Sequence, residues 1–107
     1  HLEGIDYFSH HNYFKNGELD WRRNGEPVVE EGYATTLEAN EAVGLIKRQP
    51  ADKPLFIYVP FTGVHGPLQA PDELVNQYST SMNEKRAVLA AAMTAVAAKL
   101  PMPMRTA

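Results

Sequence analysis

The residues best suited to chemistry lie in the run Val64-His65-Gly66-Pro67-Leu68-Gln69-Ala70-Pro71. An imidazole titrates near neutral pH, so a held histidine can give a proton or a hydrogen bond to a departing oxygen. Gly63 and Gly66 let backbone approach a ligand closely, and Pro67 and Pro71 stiffen the loop so that the ring is held. The same residues also suit a plain loop histidine bonded to neighbouring backbone, and position alone leaves both readings open. Other clusters are weaker. His10-His11 with His1 would suggest zinc, but adjacent histidines project in different directions and no third ligand sits at zinc spacing. Asp20, Glu26, Glu30 and Glu31 read as the solvated face of a hairpin rather than an acid/base pair. Trp21 with Arg22 and Arg23 would suit a sugar pocket through stacking and charge, although a partly buried hairpin tryptophan is the plainer expectation.

The elements that must position His65 follow from pattern. Leu55-Phe56-Ile57-Tyr58-Val59 is apolar without alternation, as in a strand buried on both faces of a parallel sheet. His65 then falls in the loop beyond the carboxyl end of that strand, where open α/β sheets bind ligands. Ahead of it, Ala39, Ala42, Val43 and Ile46 make one apolar helical stripe, so a helix is expected over Thr36–Gln49. Thr35 and Glu38 have capping-box spacing, Lys47 and Arg48 suit the last turn, and Pro50 stops the helix. Behind the loop, Pro71 suits the first position of a short helix carrying Leu74, Val75 and Tyr78. Ser81 and Glu84 repeat the capping-box spacing before a longer helix with Leu89, Met93, Val96 and Leu100 on one stripe. The first third divides at Asn16-Gly17 and Asn24-Gly25, both type I′ turn dipeptides, into candidate strands Asp6–Lys15, Leu19–Arg23 and Pro27–Glu31.

Composition bounds the rest. The 107 residues make one small domain at most, 44% hydrophobic and 21% charged. A net charge of -3 gives no electrostatic footprint for nucleic acid or an anionic membrane. The absence of cysteine excludes disulfides, thiolate metal sites and a cysteine nucleophile within these residues. No apolar run approaches the ~18 residues of a membrane span, and nothing resembles a signal peptide. The strand-like run has no companion of similar character, so its partners are expected to lie outside this sequence. The opening at His1 without Met fits an internal piece.

Phe56-Ile57-Tyr58-Val59-Pro60-Phe61-Thr62-Gly63-Val64-His65-Gly66-Pro67-Leu68-Gln69-Ala70-Pro71 resembles the strand and histidine loop of the sulfatase family, within the alkaline phosphatase superfamily. The likeness is greatest to the arylsulfatase B-like branch. His1–His10 is similar to the segment after the family's Gly-Phe-Asp motif, and Leu19–Val28 resembles its following hairpin. Gly32-Tyr33-Ala34-Thr35 with the next helix completes a colinear resemblance over about residues 1–93. The tail from Thr94 diverges, where the family expects Asp followed by Ala-Val-Gly, so 94–107 is expected to be a divergent or truncated end.

The resemblance implies an α/β domain with helices on a mostly parallel sheet, plus a hairpin excursion. It implies a sulfuric ester hydrolase acting on sulfated small molecules or glycans, with His65 touching the sulfate ester and helping the alcohol leave. It also implies calcium and a formylglycine in the complete enzyme, and a periplasmic, secreted or lysosomal place. The nucleophile motif and the acidic metal-ligand pairs have no counterpart here, so no metal ligand is expected within the chain and the chain alone is expected to be inactive. A phosphodiesterase or phosphonate hydrolase of the same superfamily, and a non-catalytic carbohydrate-binding domain, are the alternatives.

Overall fold

The computed structural model describes residues 1, 4–14 and 16–99. Its elements are β1 (Arg22–Arg23), β2 (Glu26–Pro27), α1 (Ala34–Arg48), α2 (Asp72–Tyr78) and α3 (Glu84–Lys99). Strands β1 and β2 pair antiparallel around Asn24-Gly25, with Arg22 opposite Pro27 and Arg23 opposite Glu26. Both turn residues have positive φ, 52° and 85°, as a type I′ turn requires. Asn16 and Gly17 repeat the pattern at 53° and 68°. The three strands expected in this region shrink to that one hairpin and two isolated bridges, Ile5 with Asn12 and His11 with Leu19. Polar, turn-rich segments of this kind supply too few cross-strand side-chain pairs to extend a ladder.

The helices form where the apolar period placed them, but their ends and buried faces differ. Helix α1 starts at Ala34 with Tyr33 as its N-cap and no side-chain cap. Thr35 is buried inside the first turn and its hydroxyl has no hydrogen-bond partner among the described residues. The expected capping box is absent because Glu38 accepts two hydrogen bonds from Thr62 instead. Pro71 is the N-cap of α2, one residue before its expected place. Helix α3 is capped by Asn83, whose Oδ1 accepts from the Arg86 amide at 3.1 Å, while the Ser81 hydroxyl donates to the Tyr78 carbonyl. Its buried face is alanine: Ala87, Ala91, Ala92 and Ala95. Leu89 and Met93, expected to pack, are exposed. Small side chains let α3 approach α2 closely, and Ala70, Ala91 and Ala92 form a cluster with Leu74, Val75, Tyr78 and Val88. Leu100 and the residues after it lie outside those described, so the expected tail is seen only through Lys99, still helical. The main core is aromatic, with Ile5, Tyr7, Trp21 and Tyr33 packed against Ala34 and Ala95.

The largest departure is Leu55–Val59. It is extended but belongs to no sheet, and the backbone from Leu55 to Phe61 makes no hydrogen bond among the described residues. Phe56 is 90% exposed and Tyr58 78%. A doubly buried strand needs a ladder on its edges and cover on its faces, and β1–β2 supplies neither. The mostly parallel sheet expected from the pattern is absent among the described residues. No described helix is long and apolar enough to cross a membrane.

An uncharged run with free edges is an association site. The chain should therefore unfold over a broad range and associate with rising concentration in sedimentation velocity. Replacing Phe56 and Tyr58 by Lys should return it to monomer at the same concentration, because neither side chain packs in the core. A monomer with a sharp two-state melt would contradict this.

Candidate functional site

The loop carrying His65 is held at three points by residues from elsewhere in the chain. At its start, the Thr62 amide donates to Glu38 Oε2 at 3.1 Å and the Thr62 hydroxyl to Glu38 Oε1 at 2.6 Å. With its proton committed to Glu38, the hydroxyl accepts from His1 Nε2 at 2.8 Å. A short turn then brings the His65 amide to the Thr62 carbonyl at 3.0 Å. The Tyr7 hydroxyl spans that turn, 2.8 Å from the Thr62 carbonyl and 2.6 Å from the His65 carbonyl. Further on, the Gln69 side-chain amide donates to Asp6 Oδ2 at 2.8 Å, and its oxygen accepts from the Tyr7 amide at 2.8 Å. The Gln69 carbonyl takes the Tyr33 hydroxyl at 2.9 Å.

Electrostatics reinforce these anchors. Burial drives the Tyr7 phenol up to about 12, so its hydroxyl stays a donor throughout the working pH range. At Asp6, burial pushes the carboxyl up, but hydrogen bonds from the Ser9 and Phe8 amides and the Gln69 side chain outweigh it and hold the group at about 2. The Asp6 carboxylate is thus a fixed anion that orders the turn at Phe8–Ser9 and pins Gln69.

The His65 ring itself is exposed. Its Nδ1 lies 2.6 Å from the Gly66 carbonyl, which can only accept, so Nδ1 carries the proton. Nε2 has no partner among the described residues. Both readings left open by the sequence are therefore present on one ring: a local backbone bond at Nδ1 and a nitrogen free to act at Nε2. His65 borders a cleft of about 910 Å³ whose walls include Trp21, Arg22, Leu37, Tyr58 and Thr62.

Other sequence candidates fall elsewhere. His10 is buried, stacks on Trp21 with centroids 4.5 Å apart and bonds the Gly32 carbonyl through Nε2. His11 Nδ1 turns to the Ser9 carbonyl. Trp21 is 8% exposed with its indole N–H on Glu30, so it serves the core rather than offering a stacking platform. The acidic hairpin face is not uniformly solvated either. Asp20 is buried with Arg22 at 3.6 Å, and Glu30 pairs with Arg23 at 3.2 Å. Arg23 also meets Glu41 at 2.9 Å, joining the hairpin to α1. Among the described residues no group of three His, Cys, Asp or Glu side chains is placed to hold a metal ion. The described residues thus do not fit a calcium site, and the sequence holds neither a Cys-x-Pro-x-Arg nor a Ser-x-Pro-x-Arg run that would supply a formylglycine.

Comparison with known proteins decides the kinship. The family model described as Sulfatase matches residues 2–99. The chain belongs to the sulfatase family. It is 35% identical over 60 residues to an arylsulfatase of Klebsiella aerogenes, covering 54% of this chain and 13% of that protein. It is 30% identical over 73 residues to an uncharacterized sulfatase of Schizosaccharomyces pombe, covering 64% of this chain and again 13% of the relative. The chain thus spans about an eighth of the length of these sulfatases. No solved structure matches it.

Pattern reading singled out His65 as a candidate but not Tyr7, Gln69, Glu38 or Asp6 as the residues that hold its loop. Gln69 stood inside the loop motif, yet nothing local tells which way its amide turns. The Asp6 anchor is testable by pH. Because its folded value of about 2 lies below the ordinary 3.8, its contribution is complete above the ordinary value and fades as pH falls through about 2. Carbon-detected NMR should show Asp6 titrating near 2, and Gln69→Ala should move that titration upward.

Proposed function

We propose that the chain is part of the catalytic domain of a sulfuric ester hydrolase, cleaving sulfate esters of sugars or aryl alcohols, with His65 at the substrate. In this reading residues 1–93 belong to that domain and 94–107 form a divergent end. The observation that carries the reading is His65 itself: in a chain of this family, a ring anchored at Nδ1 presents a free Nε2 beside a cleft.

The chemistry suits that arrangement. As a nucleophile from beyond these residues bonds to sulfur, the sulfur–oxygen bond breaks and its electron pair moves to the ester oxygen. The imidazolium form of His65, protonated at both nitrogens, passes its Nε2 proton to that oxygen to release an alcohol. The Nδ1–H bond to Gly66 fixes the tautomer, so that the same nitrogen takes and gives the proton. The nucleophile and the metal chemistry of sulfatases would come from parts of the protein beyond these residues. A periplasmic, secreted or lysosomal place goes with the same proposal. The burial of Trp21 counts against that residue as a sugar-stacking platform.

Two outcomes test the proposal. The chain by itself should not turn over a chromogenic aryl sulfate, with or without calcium. In a complete sulfatase carrying this loop, His65→Ala should lower kcat/KM by roughly 10²–10⁴, the range for removing a positioned proton donor. The loss should be larger for sugar sulfates, whose alkoxide leaves poorly, than for aryl sulfates with acidic phenols. Equal losses for both would make His65 a sulfate binder without proton transfer. A change below about twofold for both would remove this loop from the active site. Faster turnover of phosphate diesters than of sulfate esters would move the protein to another branch of the superfamily.

A further inference from the structure

Tyr7 is 1% exposed and lies 58 residues from His65 in sequence, yet its hydroxyl meets the backbone on both sides of the turn that presents the imidazole. We propose that Tyr7 is a positioning residue for His65, acting by clipping the Thr62 and His65 carbonyls together so that the ring keeps its Nδ1–H bond to Gly66 and its free Nε2. The inference rests on the proposed role of His65 and deepens it by naming what holds that residue in place.

The geometry separates positioning from bulk packing. The Tyr7 ring is fixed independently of its hydroxyl, stacked on Tyr33 at a centroid distance of 5.5 Å inside the aromatic core. The Tyr7 amide and carbonyl are also engaged, with Gln69 and with the Ala34 amide at 2.8 Å. Every contact of Tyr7 except those of its hydroxyl is therefore available to phenylalanine. The hydroxyl gives one proton to two carbonyls at opposite ends of the turn, and Thr62 is fixed separately by Glu38. The end that depends on Tyr7 is thus the His65 end. Without that bond the His65 carbonyl is free to rotate, carrying the peptide to Gly66 and with it the acceptor that sets the ring tautomer.

Tyr7→Phe tests this in a complete sulfatase carrying this segment. A misplacement of about 1 Å costs on the order of 10²-fold, so kcat for a sugar sulfate should fall roughly 10- to 100-fold while KM stays within about threefold. In a His65→Ala background the same substitution should have no further effect. Equal losses in the two backgrounds would assign Tyr7 a general structural role and overturn the proposal. Should His65→Ala alone leave activity unchanged, the reading of His65 fails, and the positioning claim is then decided by NMR of the chain at concentrations below association. There, nitrogen shifts of His65 should report the Nδ1–H tautomer in the parent and a mixture of tautomers in Tyr7→Phe. Tyr78→Phe, which removes a hydroxyl bonded to Thr94 between α2 and α3 rather than to the loop, should leave His65 as in the parent. An unchanged His65 tautomer in a folded Tyr7→Phe chain overturns the proposal. If that variant does not fold, the parent decides: a slowly exchanging Tyr7 hydroxyl proton with Overhauser contacts to His65 and Thr62 is expected, and its absence overturns the claim.

Discussion

The bonds made by Tyr7 and Gln69 hold together segments that no sheet connects. In most α/β domains a strand ladder joins distant parts of the chain through repeated backbone hydrogen bonds. Here the described residues contain a hairpin of two-residue strands, and the long-range backbone pairing that a sheet would give is missing. Its place is taken by side chains that reach across more than thirty residues to backbone atoms: Tyr7 to Thr62 and His65, Gln69 to the Tyr7 amide, Tyr33 to Gln69. A buried hydrogen-bond network of this kind specifies geometry closely when each member is satisfied. It also makes the loop sensitive to single atoms, since losing one donor strands a carbonyl that has left water.

That constraint explains how an exposed ring can be well placed. His65 sits on a turn between a threonine locked by Glu38 and a glutamine locked by Asp6, Tyr7 and Tyr33. Between those points the loop is short, and Pro67 restricts the ways it can relax. The imidazole is therefore presented from a rigid frame toward the cleft, as a group that must meet a leaving oxygen needs to be. The same frame ties the aromatic core to α1, so that stability and presentation of the ring share residues.

The extended run before the loop has the opposite character. Leu55–Val59 carries the apolar content of a central strand and none of its neighbours, which leaves large side chains in water. Membership in a family whose curated relatives are several times longer gives this a simple physical sense. A segment whose burial depends on other strands cannot be satisfied by helices and a polar hairpin alone. The loop it feeds is nevertheless held, because its anchors come from the N-terminal excursion and α1, both present.

Much of this was legible in the sequence wherever neighbours along the chain decide the outcome. The Asn-Gly dipeptides adopt positive φ because only such residues take that backbone cheaply, and α1 forms where a period of apolar side chains ends in basic residues and proline. The loop motif around His65 and the family followed from a contiguous run of residues. Tertiary structure decided the rest. Glu38 left its helix cap for Thr62 because two donors there outbid one, Asn83 displaced Ser81 at the start of α3, and α3 buried alanines rather than Leu89 and Met93 because α2 comes close. Tyr7 and Gln69 gained their roles from residues some sixty positions away. Local pattern fixes which side chains share a face; which face is covered, and which donor meets which carbonyl, depends on chain closure that no window of neighbours contains.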